Sequence, residues 1–245
     1  MNRAAPLPLI LVHGWAGSYE RTWRRSGVVD LLQEAGRLVV PYDLPGHGTG
    51  IKSHDPAAYT HLTEHLLTHI ETNVPMTGLP MTTTPATARV DAVGFSLGAI
   101  TLLRALLQSP ATFGKVVLSG IGDGVFSAHD PARSERILSG LEGRAEPGDV
   151  VARLFGKIGN EGHNDPQALA AVMRRPREAP IMKEQLAAID NEILIILGDN
   201  DFSGPADALV ASFPRARLIS LQGIDHFRTP EAFEFIDQLL AFLTP

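Results

Sequence analysis

Ser96 lies in Gly94-Phe95-Ser96-Leu97-Gly98, where the apolar run "RVDAVGF" gives way to the leucine-rich stretch Leu97 to Gln108. A hydroxyl is a weak nucleophile. It needs a base to take its proton, and the base needs an acid to orient it. Gly-x-Ser-x-Gly at a strand-to-helix turn is the pattern of a nucleophile elbow. The sharp turn strains the serine backbone, and the flanking glycines let strand and helix pack closely. The serine oxygen then stands at a helix N-terminus, where the dipole favours negative charge. Gly and Ser are common, so the specificity lies in the flanks: an apolar strand before, and Leu102, Leu103, Leu106 and Leu107 after.

For this elbow the acid and then the histidine should follow the serine in the chain. Three histidines do: His129, His163 and His226. His226, in "LQGIDHF", follows the last apolar run, at the same end of a sheet as the elbow; the other two fall in a helix-rich region. Asp199 and Asp201 in "LGDNDFSGP" and Asp123 in "SGIGDG" are the candidate acids, and position alone does not separate them. Asp225 is adjacent to His226, too close in the chain to reach its ring. An oxyanion hole needs backbone N–H groups aimed at the developing charge. Leu97, after the nucleophile, supplies one candidate, and Trp15 in "VHGWAGS" the other. His13 precedes the elbow and is expected to be structural.

These residues require elements to position them. Six apolar runs are each followed by turn residues: 7–12, 37–43, 89–95, 115–120, 192–199 and 216–223. Continuous apolar runs suit strands buried on both faces. Helical patterns at Arg21 to Ala35, Pro56 to Thr72, Leu97 to Gln108, Pro205 to Phe213 and Pro230 to Leu243 fall between or after them. The alternation predicts an α/β fold with a mostly parallel, roughly six-stranded sheet flanked by helices. Asn73 to Ala88, rich in Thr and Pro, reads as a long surface loop. Residues 121–191, about 70 in all, are helix-prone and far exceed an ordinary crossover. They read as a helical cap inserted into a core formed by 1–120 and 192–245.

Composition narrows the classes. The chain has 245 residues, 44% hydrophobic and 20% charged, with a net charge of −6 and no cysteine. A thiol nucleophile, a disulfide framework and a Cys-based metal site are thereby excluded. The acidic balance and the lack of a basic run speak against nucleic acid. No segment approaches a bilayer span, and the N-terminus lacks a signal-peptide pattern. The expectation is a cytoplasmic protein with no membrane partner.

At this level of detail the sequence resembles the α/β-hydrolase family. His13-Gly14-Trp15 is similar to its oxyanion loop, "YDLPGHG" (Tyr42 to Gly48) to its next turn, and Gly94 to Gly98 to its elbow. Gly198, Asp201 and Pro205 match its acid loop, which favours Asp201 over Asp199; Gly223, Asp225 and His226 match its histidine loop. The resemblance implies the family fold, trimmed of its N-terminal hairpin, with a lid where the inserted helices fall. It places the Thr/Pro loop at the N-terminal end of the sheet. It implies a Ser96–His226–Asp201 triad, an oxyanion hole at Trp15 and Leu97, and no metal or organic cofactor.

The implied activity is hydrolysis of a small to medium carboxylic ester through an acyl-enzyme, with a small-molecule acyl compound as the partner. Carbon–carbon bond hydrolases, thioesterases and lactonases of the family share the triad, and some members are non-hydrolytic binding proteins. Phe126, Leu154 and Phe155 from the inserted region and Trp15 and Phe95 from the core are candidate pocket walls; for Leu154 and Phe155 plain packing is the simpler account. His61-x-x-Glu64-His65, extended by His69, has metal-ligand spacing on one helix face. It is expected to be an exposed polar stripe on an outer helix, holding no metal.

Overall fold

The computed structural model describes residues 6–74 and 89–244. Within them lie β1 (Leu9–Val12), β2 (Val39–Val40), β3 (Val90–Phe95), β4 (Phe113–Ser119), β5 (Ile193–Gly198) and β6 (Ala216–Leu221). They form one sheet of order β2-β1-β3-β4-β5-β6, and every pairing is parallel. All residues of β1, β3 and β5 are buried, as runs covered on both faces must be.

Alternate residues feed two cores. Leu9, Leu11, Val93, Val117, Leu194 and Ile196 face one helical layer, α1 (Val28–Glu34) and α9 (Phe233–Leu243). Ile10, Val12, Ala92, Val116, Ile193 and Ile195 face the other, built on α2 (Leu62–Asn73), α3 (Leu97–Gln108) and α8 (Asp207–Ala211). The period of two in the strands thus sorts side chains between the layers.

Between β4 and β5 the chain inserts α4 (Pro131–Leu141), α5 (Val150–Gly159), α6 (Pro166–Arg174) and the one-turn α7 (Lys183–Leu186). Three begin on an aspartate whose carboxylate accepts a backbone N–H of the first turn: Asp130, Asp149 and Asp165. Each such cap satisfies a donor the helix cannot, a contribution of about 1 kcal/mol.

Several elements differ from their sequence reading. The expected helix Arg21 to Ala35 is divided. A π-type turn at Tyr19–Arg24 starts on Ser18, whose hydroxyl accepts the Arg21 N–H at 3.1 Å. Gly27, at φ 82°, then reverses the chain before α1. β2 keeps only two residues, Val39–Val40, paired with Leu9 and Ile10 of β1. Pro56–Tyr59 is a 3-10 turn ahead of α2, and Thr229–Glu231 another ahead of α9. Of the Thr/Pro loop, residues 75–88 lie outside the described residues, and so does its expected place at the N-terminal end of the sheet.

Candidate active site

Strand β3 ends at Phe95, and Ser96 takes φ 54°, ψ −116° before α3 begins at Leu97. A non-glycine residue in this region is strained, and such strain persists only where the surroundings fix it. Here the Ser96 N–H donates to Ser119 O at 2.8 Å, and the Ser119 hydroxyl donates to Ile196 O at 2.8 Å. The elbow is therefore tied to the two strands beyond it. Gly98 is needed for close approach: a Cβ there would lie 2.2 Å from Val12 O.

The Ser96 hydroxyl lies 3.0 Å from His226 Nε2 and can donate to it. His226 Nδ1 lies 2.9 Å from each carboxylate oxygen of Asp201. With Nδ1–H donating to the acid, Nε2 is left as the acceptor facing the serine, the tautomer a general base requires. Burial pushes the Asp201 carboxyl up, but the bonds from His226 and Ser203 outweigh it and hold the pKa below the usual value. Asp201 is thus kept charged beside the imidazole.

The competing acids are engaged elsewhere. Asp123 accepts the N–H groups of Ala208 (3.2 Å) and Leu209 (2.8 Å) at the start of α8. Asp199 accepts the Gly223 N–H at 2.7 Å. Asp225 accepts those of Phe227 and Arg228, each at 3.0 Å. His13 Nδ1 donates to Gly14 O at 2.8 Å, and its Nε2 accepts the Leu44 N–H at 3.1 Å, so it braces two loops. His129 meets Ser134, and His163 lies 3.9 Å from Glu161.

The first loop reaches the elbow through Gly14, where a Cβ would come within 3.2 Å of Ser96 Cβ. Among the described residues, the backbone N–H groups of Trp15 and Leu97 have no hydrogen-bond partner. Unpaired donors beside a nucleophile suit a developing oxyanion.

An aromatic group surrounds the imidazole. Phe202 lies 4.3 Å from His226 between ring centroids, Phe95 5.0 Å and Phe227 5.8 Å. Phe155 reaches down from α5 to Phe227, Phe202 and Trp15, at 5.0, 6.1 and 5.7 Å. Beside them opens a cavity of about 340 Å³, lined among others by Phe155, Phe202, Arg133 and Ile137. Of the pocket residues read from sequence, Phe155 lines this cavity, Trp15 packs edge-on against Phe155, and Phe95 lies against the His226 ring. Phe126 lies elsewhere, on the larger core with Lys183 Nζ over its ring at 5.3 Å, and Leu154 is exposed. Phe202 and Phe227 were not singled out in the sequence, although they directly follow Asp201 and His226.

The histidine stripe on α2 is dispersed. His69 contacts Pro41 O at 2.9 Å, His61 lies 3.8 Å from Glu64, and His65 is exposed. Among the described residues no three His, Asp or Glu side chains gather as a metal cluster. No described helix is long and apolar enough to cross a membrane.

Comparison with known proteins agrees with this architecture. A curated relative, 2-hydroxy-6-oxononadienedioate/2-hydroxy-6-oxononatrienedioate hydrolase 2 of Pseudomonas putida, is 27% identical over 95% of this chain and 85% of its own. An esterase from a marine microorganism superposes with a TM-score of 0.67 at 18% identity, covering 97% of this chain and 95% of the other. The 2-hydroxy-6-oxo-6-phenylhexa-2,4-dienoate hydrolase of Rhodococcus sp. strain RHA1 gives 0.66 at 18%, covering 97% and 90%. At these identities the two solved structures establish the fold alone. The sequence profile of the Alpha/beta hydrolase family matches residues 9–237, from the first strand to the last helix. With the parallel sheet, the elbow and a profile match of that extent in agreement, the chain belongs to the alpha/beta hydrolase family and is a hydrolase.

Proposed function

We propose that this chain is a serine hydrolase that cleaves a small to medium carboxylic ester through an acyl-enzyme. The observation that carries the reading is the continuous hydrogen-bonded line from Ser96 Oγ through His226 to Asp201. Ser96 Oγ attacks the ester carbonyl while His226 Nε2 takes its proton. Asp201 holds the imidazole and stabilises its cation. The Trp15 and Leu97 N–H groups receive the oxyanion. His226 then gives its proton to the departing alcohol. Water, deprotonated by the same nitrogen, attacks the acyl-enzyme and releases the acid and the serine. In this reading α4 to α7, with their connections over 121–191, act as a cap on the core formed by 1–120 and 192–245. Phe155, Phe202 and Phe227 supply the apolar wall that such a substrate needs.

A second reading is favoured by the names of the curated relatives, which are hydrolases of 2-hydroxy-6-oxo dienedioates. Cleavage of a carbon–carbon bond beside a ketone also passes through attack on a carbonyl, once a proton has moved from the 2-hydroxyl to carbon 5 and the dienol has become a ketone. It differs in the leaving group, a stabilised carbanion in place of an alkoxide. The discriminating experiment is turnover of p-nitrophenyl esters of graded chain length beside a 2-hydroxy-6-oxo dienedioate, for wild type and Ser96→Ala. Ester turnover lost in the variant supports the first reading. Turnover of the dienedioate alone supports the second. A burst of one equivalent without turnover would instead mark a ligand-binding protein that traps its acyl group.

A further inference from the structure

The loop that carries the Trp15 amide is held from above by the inserted helices. The Trp15 indole Nε1–H donates to Leu169 O in α6 at 3.1 Å. Its ring meets Phe155 of α5 edge-on and fits where Gly159, the last residue of α5, has no side chain; a Cβ there would lie 3.1 Å from Trp15 Cη2. The next residue, Ala16, has φ 61°, a strained conformation for alanine. Two contacts from the inserted region over-determine it. Its side chain is buried among Leu138, Leu141, Leu169 and Ala170, and its carbonyl accepts from Asn164 Nδ2 at 3.3 Å.

Helix α6 is a firm support. Asp165 caps it and lies 3.0 Å from His54 Nε2, while Val172 is buried in the larger core. The other side of the same loop is the Gly14–Ser96 approach. A load path therefore runs from α6 through the Trp15 side chain to the Trp15 amide.

We infer that Trp15 and Asn164 are positioning residues through which the inserted helices set the residue-15 N–H against Ser96. The inference rests on the proposed serine hydrolysis only for its kinetic consequence. A misplaced donor weakens transition-state binding while ground-state binding changes little, so kcat should fall at nearly constant KM.

The test compares wild type with Trp15→Phe, which keeps a ring and removes the indole donor, and with Asn164→Ala. Two measurements are made: kcat and KM on a p-nitrophenyl ester with the Ki of an alkylboronic acid, and amide hydrogen exchange at Gly17, whose N–H bonds Gly14 O at 3.0 Å and so reports loop order. The expected result for Trp15→Phe is a kcat reduced about 10-fold with KM within about twofold. The boronate Ki should rise by a similar factor, and Gly17 exchange should quicken. Asn164→Ala should move in the same direction by less. A raised KM at unchanged kcat would make Trp15 a pocket wall and overturn the inference, as would unaltered Gly17 exchange. If wild type turns over no ester, the functional reading fails by itself. Exchange at Gly17 then decides whether the inserted helices order the loop.

Discussion

Phe202 lies against the imidazole of His226, with ring centroids 4.3 Å apart and planes 35° from parallel. It follows Asp201 directly, so one loop supplies both the carboxylate bonded to the imidazole and a ring that covers it. Phe202→Ala should lower kcat/KM about 10-fold by freeing the imidazole and admitting water. Because Phe202 is already 40% exposed, the stability cost should stay near 1 kcal/mol. Labelling of Ser96 by a fluorophosphonate at the wild-type rate would show that the ring has no hold on the base.

Asp201 and Asp123 should separate cleanly by mutation. Asp201→Asn leaves the side-chain shape but no longer enforces the Nδ1–H tautomer, and kcat should fall about 10³- to 10⁴-fold. Asp123→Ala removes the carboxylate at the start of α8, costing about 1 kcal/mol of stability with kcat within about twofold. Steady-state kinetics and a thermal melt on both variants check the pair. Strong loss of kcat in a folded Asp123→Ala would reassign the acid.

Stability should begin to fall at an unusually high pH. Burial first, and then the neighbouring His13, pull the His47 pKa down to about 3. The unfolded chain takes up that proton near pH 6.5. Between these values the unfolded state binds more protons than the folded one, so the His47 contribution is complete above about pH 6.5 and is lost as pH falls toward 3. Burial pushes the Asp43 carboxyl up, yet hydrogen bonds, including those from the Thr49 and Tyr19 N–H groups, hold it well below the ordinary range. Its loss therefore begins only below about pH 4. Urea unfolding from pH 7 to 4 should show a slope that His47→Asn flattens. An unchanged slope in that variant would mean that another group carries it.

Arg37 and Asp91 form a pair that sequence patterning did not suggest. The Arg37 guanidinium, fully buried, contacts Asp91 Oδ2 at 2.7 Å and Leu7 O at 2.8 Å, and donates to Leu243 O. Asp91 Oδ1 also accepts the Lys115 N–H at 2.7 Å. Removing one partner strands a buried charge, so Arg37→Met or Asp91→Leu should each cost about 3–5 kcal/mol. The double variant should cost less than the sum of the two, read by a double-mutant cycle in denaturant.

The parts of the site readable in sequence were those whose chemistry is local. Ser96 was legible because glycines at fixed offsets and a strand-to-helix switch all describe one turn. α3 matches its sequence bounds, Leu97 to Gln108, because that turn also starts the helix. Elsewhere distant contacts decide. Gly27 broke an amphipathic pattern that periodicity alone would continue. The residues alone left Asp123, Asp199 and Asp201 open; the acid-loop resemblance favoured Asp201 over Asp199, and only the folded loops show which carboxylate meets the His226 ring. Phe202 and Phe227 were invisible because their role follows from how two loops fold toward α5, which no periodicity encodes.

Ser96 and His226 are 130 residues apart in the chain and hang from β3 and β6, with β4 and β5 between them. The Ser96–His226 contact is thus a long-range one of the kind that forms late, after parallel pairings with a high loop-closure cost. During refolding, helical signal should return well before Ser96 becomes reactive. A chain stalled before β6 has docked carries a serine with no base. In the proposed mechanism, competence for chemistry would therefore report completed folding.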